Sequence, residues 1–492
     1  MSYSAPTSIR RNTLINLTGA IVPILVSLTT VPLYLHLIGN ARYGVLAIVW
    51  ALLGYFSIFD LGLGRATSNQ VARLRTAAPM QTATLFWTAL LINTLLGLVG
   101  GGVLLGAGRL LLGGVFKISP DLRLEALSSV PWLAAAVPLI TISAVLIGSL
   151  EGREHFFTTN ILGVLGNVLI QVVPLAIVYW HGPNLAWLIG SIVCVRLVSA
   201  VLLFLACQKY VPSIGRPRID LAWAGILFRY GTWVTVTGVI EPFLTTVDRF
   251  VIGAQVGVQV LAYYVVPFNL VTQIAILPAS LSRTLFPRFS MLQRDEARVV
   301  GSDALLVLGA IMTPMIVGAL VVLDPFLTIW IGSDLAEIAV PVGEILLVGI
   351  WFNSMALVPY VLLQGQGRPD LIARFHILEL PPYLLLLWLG LMVAGVKGAA
   401  LAWTIRVTVD ALLLFRAVST PWRQMTTLMV EAGLVVLVAI SALTLFAQPA
   451  LRIALGGSFI VMSLVWAWHS APQLRSMSQD LLAVARRIAV RT

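Results

Sequence analysis

The sequence predicts an all-α polytopic membrane protein of about 14 transmembrane helices, arranged as two pseudo-symmetric six-helix lobes around a central cavity plus two C-terminal helices. Three observations support this prediction. Hydrophobic residues make up 59% of the chain and charged residues only 10%, which is typical of membrane proteins. Apolar runs of spanning length follow one another along the chain, and short motifs of the first half recur in the second.

The apolar runs define the predicted spans, and each is long enough to cross a bilayer as a helix. The fourteen runs lie near residues 14–35, 43–62, 84–106, 127–150, 157–180, 184–207, 231–252, 258–281, 304–323, 340–363, 375–394, 398–415, 426–447 and 453–469. No connection is longer than roughly two dozen residues, which leaves no room for a soluble domain between them. Arg10 and Arg11 lead directly into the first run, which we interpret as a retained helix.

The basic residues predict the orientation of the helices. If the N-terminus is cytoplasmic, only six of the 31 lysine and arginine residues fall on the outer side, namely Arg42, Arg109, Lys117, Arg123, Lys397 and Arg452. Cytoplasmic loops are enriched in such residues, so the asymmetry predicts that both termini are cytoplasmic. It also accounts for the net charge of +11 without a nucleic-acid partner.

Three motifs recur in the second half at offsets of 214, 215 and 216 residues. They pair Ile38-Gly39 with Ile252-Gly253, residues 151–154 with 366–370, and Leu185-Ala186-Trp187 with Leu401-Ala402-Trp403. Six helices separate the copies, so both halves have the same orientation in the membrane. The predicted organisation is an N-terminal lobe at 1–209, a C-terminal lobe at 210–418, and two further helices with a tail at 419–492.

The seventh span carries ionisable residues within an apolar segment. Glu241 and Asp248 are seven residues apart and share one helix face, and Pro242 predicts a bend beside Glu241. Desolvated carboxyl groups can take up a proton near neutral pH, so we predict that both residues form a site for H⁺ or Na⁺ coupling. The alternatives are a hydrogen bond from Glu241 to a neighbouring helix and a structural pair formed by Asp248 and Arg249.

Polar side chains in other spans predict a substrate cavity. Amides follow one face of the first, fifth and eighth spans, and the candidates are Asn16, Asn167, Asn269 and Gln273. Unpaired amides are costly in lipid, so several such faces in one bundle favour a shared aqueous cavity. The alternative is a helix–helix packing face, where small residues permit close approach.

Three arginines within spans are candidates for binding an anionic substrate. They are Arg196, Arg249 and Arg406. Arg196 has no acidic residue within one turn of its own helix, so it must find a partner on another helix, snorkel to the interface, or meet an anionic ligand. Arg406 and Asp410 are four residues apart, so an ion pair within one helix is the alternative for Arg406.

Several functional classes lack their motifs. The sequence has no GxxxxGK[ST] loop, and its five histidines are scattered, which predicts neither ATP hydrolysis nor a metal site or other cofactor. Cys194 and Cys207 lie in one apolar run and indicate no disulfide framework. No large outer loop carries paired carboxylates, which disfavours a membrane glycosyltransferase or polymerase and favours a transporter over an enzyme.

The chain resembles the O-antigen and exopolysaccharide flippases of the multidrug/oligosaccharidyl-lipid/polysaccharide (MOP) superfamily, which also contains the MATE drug exporters. The resemblance extends over about residues 10 to 415. It depends on Pro32, Gly39, Tyr43-Gly44, Asp60-Leu61-Gly62, the FRYG of 228–231, Asp248-Arg249, Tyr263-Tyr264 and the LFPRFS of 285–290.

This resemblance implies a function. A member of the family is expected to move an undecaprenyl-diphosphate-linked oligosaccharide from the inner to the outer leaflet of the bacterial cytoplasmic membrane by alternating access. Because the sequence has no ATPase motif, we expect an ion gradient to drive this movement. Polysaccharide polymerase or assembly proteins are possible partners. A diphosphate at low dielectric needs cationic partners, which the three arginines within spans supply. The alternative is a MATE-type cation-coupled drug exporter, which would use Glu241 and Asp248 to bind an organic cation.

Overall fold

A computed structural model of the chain describes residues 7–74, 79–211, 217–220, 222–445 and 448–471, and their side chains except at 7–21, 228–242, 287, 449 and 450. Helices account for nearly all of these residues. They are α1 Thr7–Phe56, α2 Leu63–Arg73, α3 Pro79–Leu110, α4 Pro120–Gly152, α5 Phe156–His181, α6 Leu185–Tyr210, α7 Ala222–Gln255, α8 Val258–Thr272, α9 Ile276–Met291, α10 Arg294–Ile331, α11 Ser333–Gly365, α12 Pro369–Ala417, α13 Trp422–Leu445 and α14 Pro449–Ser470.

Each of the fourteen predicted spans has a helical counterpart, which confirms the all-α polytopic fold. Within the described ranges, 11 helical stretches are long and apolar enough to cross a membrane, and two of them, in α1 and α12, contain two predicted spans each. The chain turns inside α1 at Gly39 (φ 76°) and inside α12 at Gly395 (φ 56°). Both turns occur at glycine because a side chain would strain a positive φ.

The second and eighth spans are each broken by a short 3₁₀ segment. The first segment, Ser57–Asp60, separates α1 from α2, and the second, Gln273–Ala275, separates α8 from α9. The two breaks are separated by nearly the offset of the sequence motifs, so the repeat extends to an irregular feature of the backbone. Such segments often mark hinges in long helices.

Contacts divide the chain into two compact units, Met1–Ala262 and Tyr263–Thr492. Helices α1 to α7 belong to the first unit, and α9 to α14 to the second. The division into lobes at 1–209, 210–418 and 419–492 stays a prediction, because it concerns segments that move together during transport. The seventh span, predicted to open the C-terminal lobe, contributes its contacts to the first unit.

Glycines allow helices of the first unit to approach closely. A Cβ at Gly64 of α2 would lie 2.9 Å from the Ala144 carbonyl oxygen of α4, and a Cβ at Gly152 would lie 2.7 Å from the Ser68 carbonyl oxygen. Helices in lipid gain no hydrophobic driving force from association. Small residues let them approach closely, so that packing stabilises the contact instead. The contact of α2 with α4 therefore depends on glycine on both sides.

The Tyr43-Gly44 motif forms another close contact. A Cβ added to Gly44 would overlap the carbonyl oxygen of Val258 and lie 2.7 Å from its carbonyl carbon. The amide of Val258 donates in turn to the Lys117 carbonyl oxygen at 3.3 Å. The absence of a side chain at Gly44 thus allows three segments of the first unit to meet. They are the turn within α1, the connection that precedes α4 and the connection between α7 and α8.

Candidate functional site

A cavity of about 750 Å³ lies between α2 and α4 in the first unit. Its polar lining includes Asp60, Arg65, Asn69, Glu151 and Glu154. The Arg65 side chain is exposed, and its positive charge interacts electrostatically with the carboxylates of Asp60 and Glu151. This cleft therefore combines one cation with several carboxylates.

Asp60, the first residue of the Asp60-Leu61-Gly62 motif, lines the cleft. Leu61 (φ 49°) and Gly62 (φ 69°) are both left-handed, which turns the chain from the 3₁₀ segment into α2. The Asp60 carboxylate accepts the backbone N–H of Gly64 at 3.1 Å and the Asn93 amide at 2.8 Å. Asp60 thus caps the start of α2, where a carboxylate is favoured by the helix dipole.

Arg196 lies half-buried on α6 of the first unit. Its Nε is buried and has no hydrogen-bond partner among the described residues. A guanidinium in this position is costly unless an acceptor reaches it. Its place in the structure is therefore compatible with the predicted anionic ligand.

Asp248 and Arg249 are adjacent residues of α7, but their side chains lie in different surroundings. Asp248 is fully buried, and its Oδ1 accepts the backbone N–H of Arg249 at 2.7 Å. The Arg249 side chain is half-buried, and its positive charge interacts electrostatically with the buried phenol of Tyr43. The structure thus brings two predicted site residues together with the Tyr43-Gly44 motif.

The predicted amides are distributed over both units. Asn167 of α5 is exposed, and its carbonyl oxygen accepts the Gln171 side chain at 3.3 Å. Gln171 also links α5 to α1, because its side-chain oxygen accepts the Thr30 hydroxyl at 3.2 Å. Asn269 is half-buried, and its carbonyl accepts the Thr272 hydroxyl. Of these three bonds, the one between Thr30 and Gln171 joins two helices, and the other two lie within one helix. The roles of Asn167 and Asn269 stay predictions.

Three further predicted site residues are Gln273, Asn16 and Glu241. Gln273 is exposed and begins the 3₁₀ break between α8 and α9. The side chains of Asn16 and Glu241 lie outside the described residues. Their predicted roles remain predictions.

Arg406 lies in a charged cluster inside the second unit. It is 8% exposed and stands over the ring of Tyr383 at 5.7 Å. The Glu379 carboxylate is 5% exposed and lies in the field of both Asp410 and Arg406. Asp410 is also 3.9 Å from His376. We refer to these five residues as the α12 cluster, since all belong to α12.

The α12 cluster carries more polar groups than its own hydrogen bonds satisfy. Within the described chain, both Glu379 oxygens, the Arg406 Nε and Nη1 and the Asp410 Oδ1 are buried without a hydrogen-bond partner. Arg406, Asp410 and Glu379 lie in one buried cluster, where opposite charges can offset one another. The ion pair between Arg406 and Asp410 stays a prediction. Such a cluster can hold a proton or a cation.

Other buried acids of the second unit also escaped the sequence analysis. Glu344 of α11 and Glu431 of α13 are 3% and 1% exposed. Glu344 lies near Asp324, which pairs with Arg452 of α14. Each of them, like Glu379, is an acidic residue within an apolar run, the same signal that predicted a site in the seventh span.

The chain is similar to a known protein family and to a known protein over much of its length. A family model described as polysaccharide biosynthesis protein matches residues 36–340. A putative O-antigen transporter of Shigella flexneri is 30% identical over 421 residues, covering 83% of this chain and 97% of that protein.

Solved structures agree on the fold. The lipid II flippase MurJ in an inward closed conformation has a TM-score of 0.74 at 14% identity, covering 96% of this chain and 99% of that one. An inward-facing multidrug resistance MATE family transporter of the MOP superfamily has a TM-score of 0.69 at 15% identity, covering 85% and 98%.

Proposed function

Because the chain belongs to the polysaccharide biosynthesis protein family, we propose that this membrane transporter is a flippase for lipid-linked oligosaccharide. Its substrate would be an undecaprenyl-diphosphate-linked O-antigen or exopolysaccharide repeat unit, which it moves from the inner to the outer leaflet of the bacterial cytoplasmic membrane. The observation that carries the proposal is the 30% identity to a putative O-antigen transporter over 97% of that protein's length.

Arg196 and Arg249 are the residues we assign to the diphosphate. Both guanidinium groups are half-buried, so they are shielded from bulk water yet accessible to a ligand. Arginine binds phosphate through two parallel hydrogen bonds, and each bond is stronger where water is excluded. The amides of Asn16, Asn167, Asn269 and Gln273 would contact the sugars, and alternating access would carry the head group across.

Export in cells tests the proposal against the MATE-type alternative. In a strain that lacks its own O-antigen flippase, expression of the chain should restore polymer at the cell surface, provided that the strain makes a matching repeat unit. Resistance to cationic drugs should stay unchanged. A gain of drug resistance without polymer would support a cation exporter and exclude the flippase.

Both termini are predicted to lie in the cytoplasm. Single cysteines placed near Pro183 and Ser333, in a variant without Cys194 and Cys207, should react with an impermeant reagent from outside, whereas cysteines near Arg73 and Arg294 should not. The reverse pattern would overturn the orientation.

For energy coupling we propose a carboxylate that binds H⁺ or Na⁺. Glu241 and Asp248 are the candidates from the sequence, and the α12 cluster adds Glu379, whose two oxygens lack hydrogen-bond partners among the described residues. Glu241→Gln and Glu379→Gln keep the side-chain shape but cannot titrate. The variant at the coupling residue should lose the stimulation of flipping by an imposed gradient. If both variants keep it in full, neither residue couples transport.

A further inference from the structure

A pocket rich in arginine lies at one end of the second unit. This basic pocket of about 140 Å³ is lined by Arg294, Arg298 and Arg368 together with Gln366. Arg294 begins α10, Arg298 follows one turn later, and Arg368 directly precedes α12. The starts of two helices therefore lie beside three guanidinium groups, and both features favour an anion.

Acidic neighbours neutralise this pocket only in part. Arg298 contacts Asp295 at 3.4 Å, and Arg368 contacts Asp370 at 3.1 Å. The Asp295 side chain is 94% exposed, so that pair is weak. Each guanidinium carries more N–H donors than one carboxylate uses, which leaves donors for a further acceptor.

A second cavity shares a wall with the basic pocket. This apolar slot, also about 140 Å³, is lined mainly by aliphatic and proline side chains, among them Val299, Leu305 and Pro359. Arg298, Leu362 and Val418 line both cavities. A charged compartment thus adjoins an apolar one, which is the pattern that an amphiphile with an anionic head requires.

The internal repeat allows the charges of the basic pocket to be compared with those of the corresponding loop in the first unit. The corresponding loop of the first unit contributes Glu151 and Glu154 to the cleft at Arg65. In the second copy, Gln366 replaces Glu151, and Arg368 lines the pocket with two arginines of α10. Arg368 corresponds to Arg153 of the first copy, so the two copies differ in the loss of the Glu151 carboxylate and in the presence of Arg294 and Arg298 of α10.

We propose that the basic pocket and the apolar slot together bind one anionic phospholipid of the bilayer. Its phosphate would lie among Arg294, Arg298 and Arg368, and part of an acyl chain would occupy the slot. The basic pocket is smaller than the roughly 300–1,000 Å³ of pockets that enclose drug-sized ligands, so it accepts a phosphate group but no oligosaccharide. The basic loops also belong to the side predicted to face the cytoplasm, where anionic lipids attract such residues.

Lipid binding to the full-length purified protein tests the proposal. Native mass spectrometry would follow a titration with phosphatidylglycerol or with phosphatidylcholine of the same chains. The first phosphatidylglycerol should bind at least about tenfold more tightly, given the attraction of several arginines for an anionic head group. The triple variant Arg294→Ala, Arg298→Ala, Arg368→Ala should lose this preference.

A matched control removes the same charge from elsewhere in the second unit. Arg283, Arg288 and Arg423 are exposed and line neither cavity, so their triple alanine variant should keep the preference. Val299→Trp, at an exposed position of the slot, should weaken long-chain phosphatidylglycerol but not a short-chain analogue. The single variants Arg298→Glu and Val299→Trp keep the test valid if the triple variant does not fold.

Three outcomes would overturn the assignment. The wild type could bind both lipids equally, or the pocket variants could retain the preference. The third is a polyprenyl diphosphate that displaces phosphatidylglycerol from the wild type and loses affinity in the triple variant, because the pocket would then take the transported lipid. None of these results bears on whether the chain flips its substrate.

Discussion

Gly44→Ala is expected to remove nearly all folded protein from the membrane. The added Cβ would overlap the Val258 carbonyl oxygen, and backbone on both sides prevents a local adjustment. Overpacking of this kind costs on the order of 3 kcal/mol or more, a large share of the stability of a folded domain. Size-exclusion chromatography of a fluorescent fusion would measure the loss of the monodisperse species.

Gly54→Ala is the matched control on the same helix. A Cβ at Gly54 meets no atom within 4 Å, and the residue is exposed. Alanine has the higher helix propensity, so this variant should be as stable as the wild type or slightly more so. Equal amounts of folded protein for both variants would mean that Gly44 and Val258 are not in contact.

The second large effect is expected from the arginines. Arg406→Ala should strongly reduce folded protein, because it leaves Glu379 and Asp410 buried without their cation, at a cost of about 3–5 kcal/mol. Arg196→Ala and Arg249→Ala should leave folded protein in the membrane and abolish polymer export. Lysine at either position should rescue export in part, since the charge remains but the planar fork is lost.

Two controls separate stability from transport. Adding Glu379→Gln to Arg406→Ala removes the uncompensated charge, so the double variant should regain part of the lost stability. Arg109→Ala, an exposed arginine outside the proposed site, should fold and export normally. Folded but inactive Arg406→Ala would move Arg406 from the charged cluster to the substrate site. Normal export by Arg196→Ala and Arg249→Ala would place the diphosphate elsewhere.

The fold could be predicted from the sequence because each span is a local property. An apolar run of about 20 residues must be helical in lipid, since its backbone has no other hydrogen-bond partners. The turns at Gly39 and Gly395 also fall between predicted spans. The 3₁₀ breaks at Ser57–Asp60 and Gln273–Ala275 were not predicted, because each lies inside one apolar run of spanning length.

The site was predictable only in part, since it depends on which helix faces meet. The spacing of Arg406 and Asp410 indicated their relation within one turn, but Glu379 reaches them only because α12 turns at Gly395. The same limit applies to Arg65, whose cleft forms where α2 approaches α4 through glycines. Contacts between helices distant in sequence leave no periodic pattern along one helix.

The most direct test of the account is flipping by the purified protein in proteoliposomes that contain an undecaprenyl-diphosphate-linked oligosaccharide. A lectin or an enzyme added outside would detect the oligosaccharide as it reaches the outer leaflet. We expect the wild type to expose the sugar faster than protein-free liposomes, and folded Arg196→Ala to show only the protein-free rate. Wild-type liposomes that expose the sugar no faster than empty ones, with and without an imposed H⁺ or Na⁺ gradient, would contradict the flippase assignment.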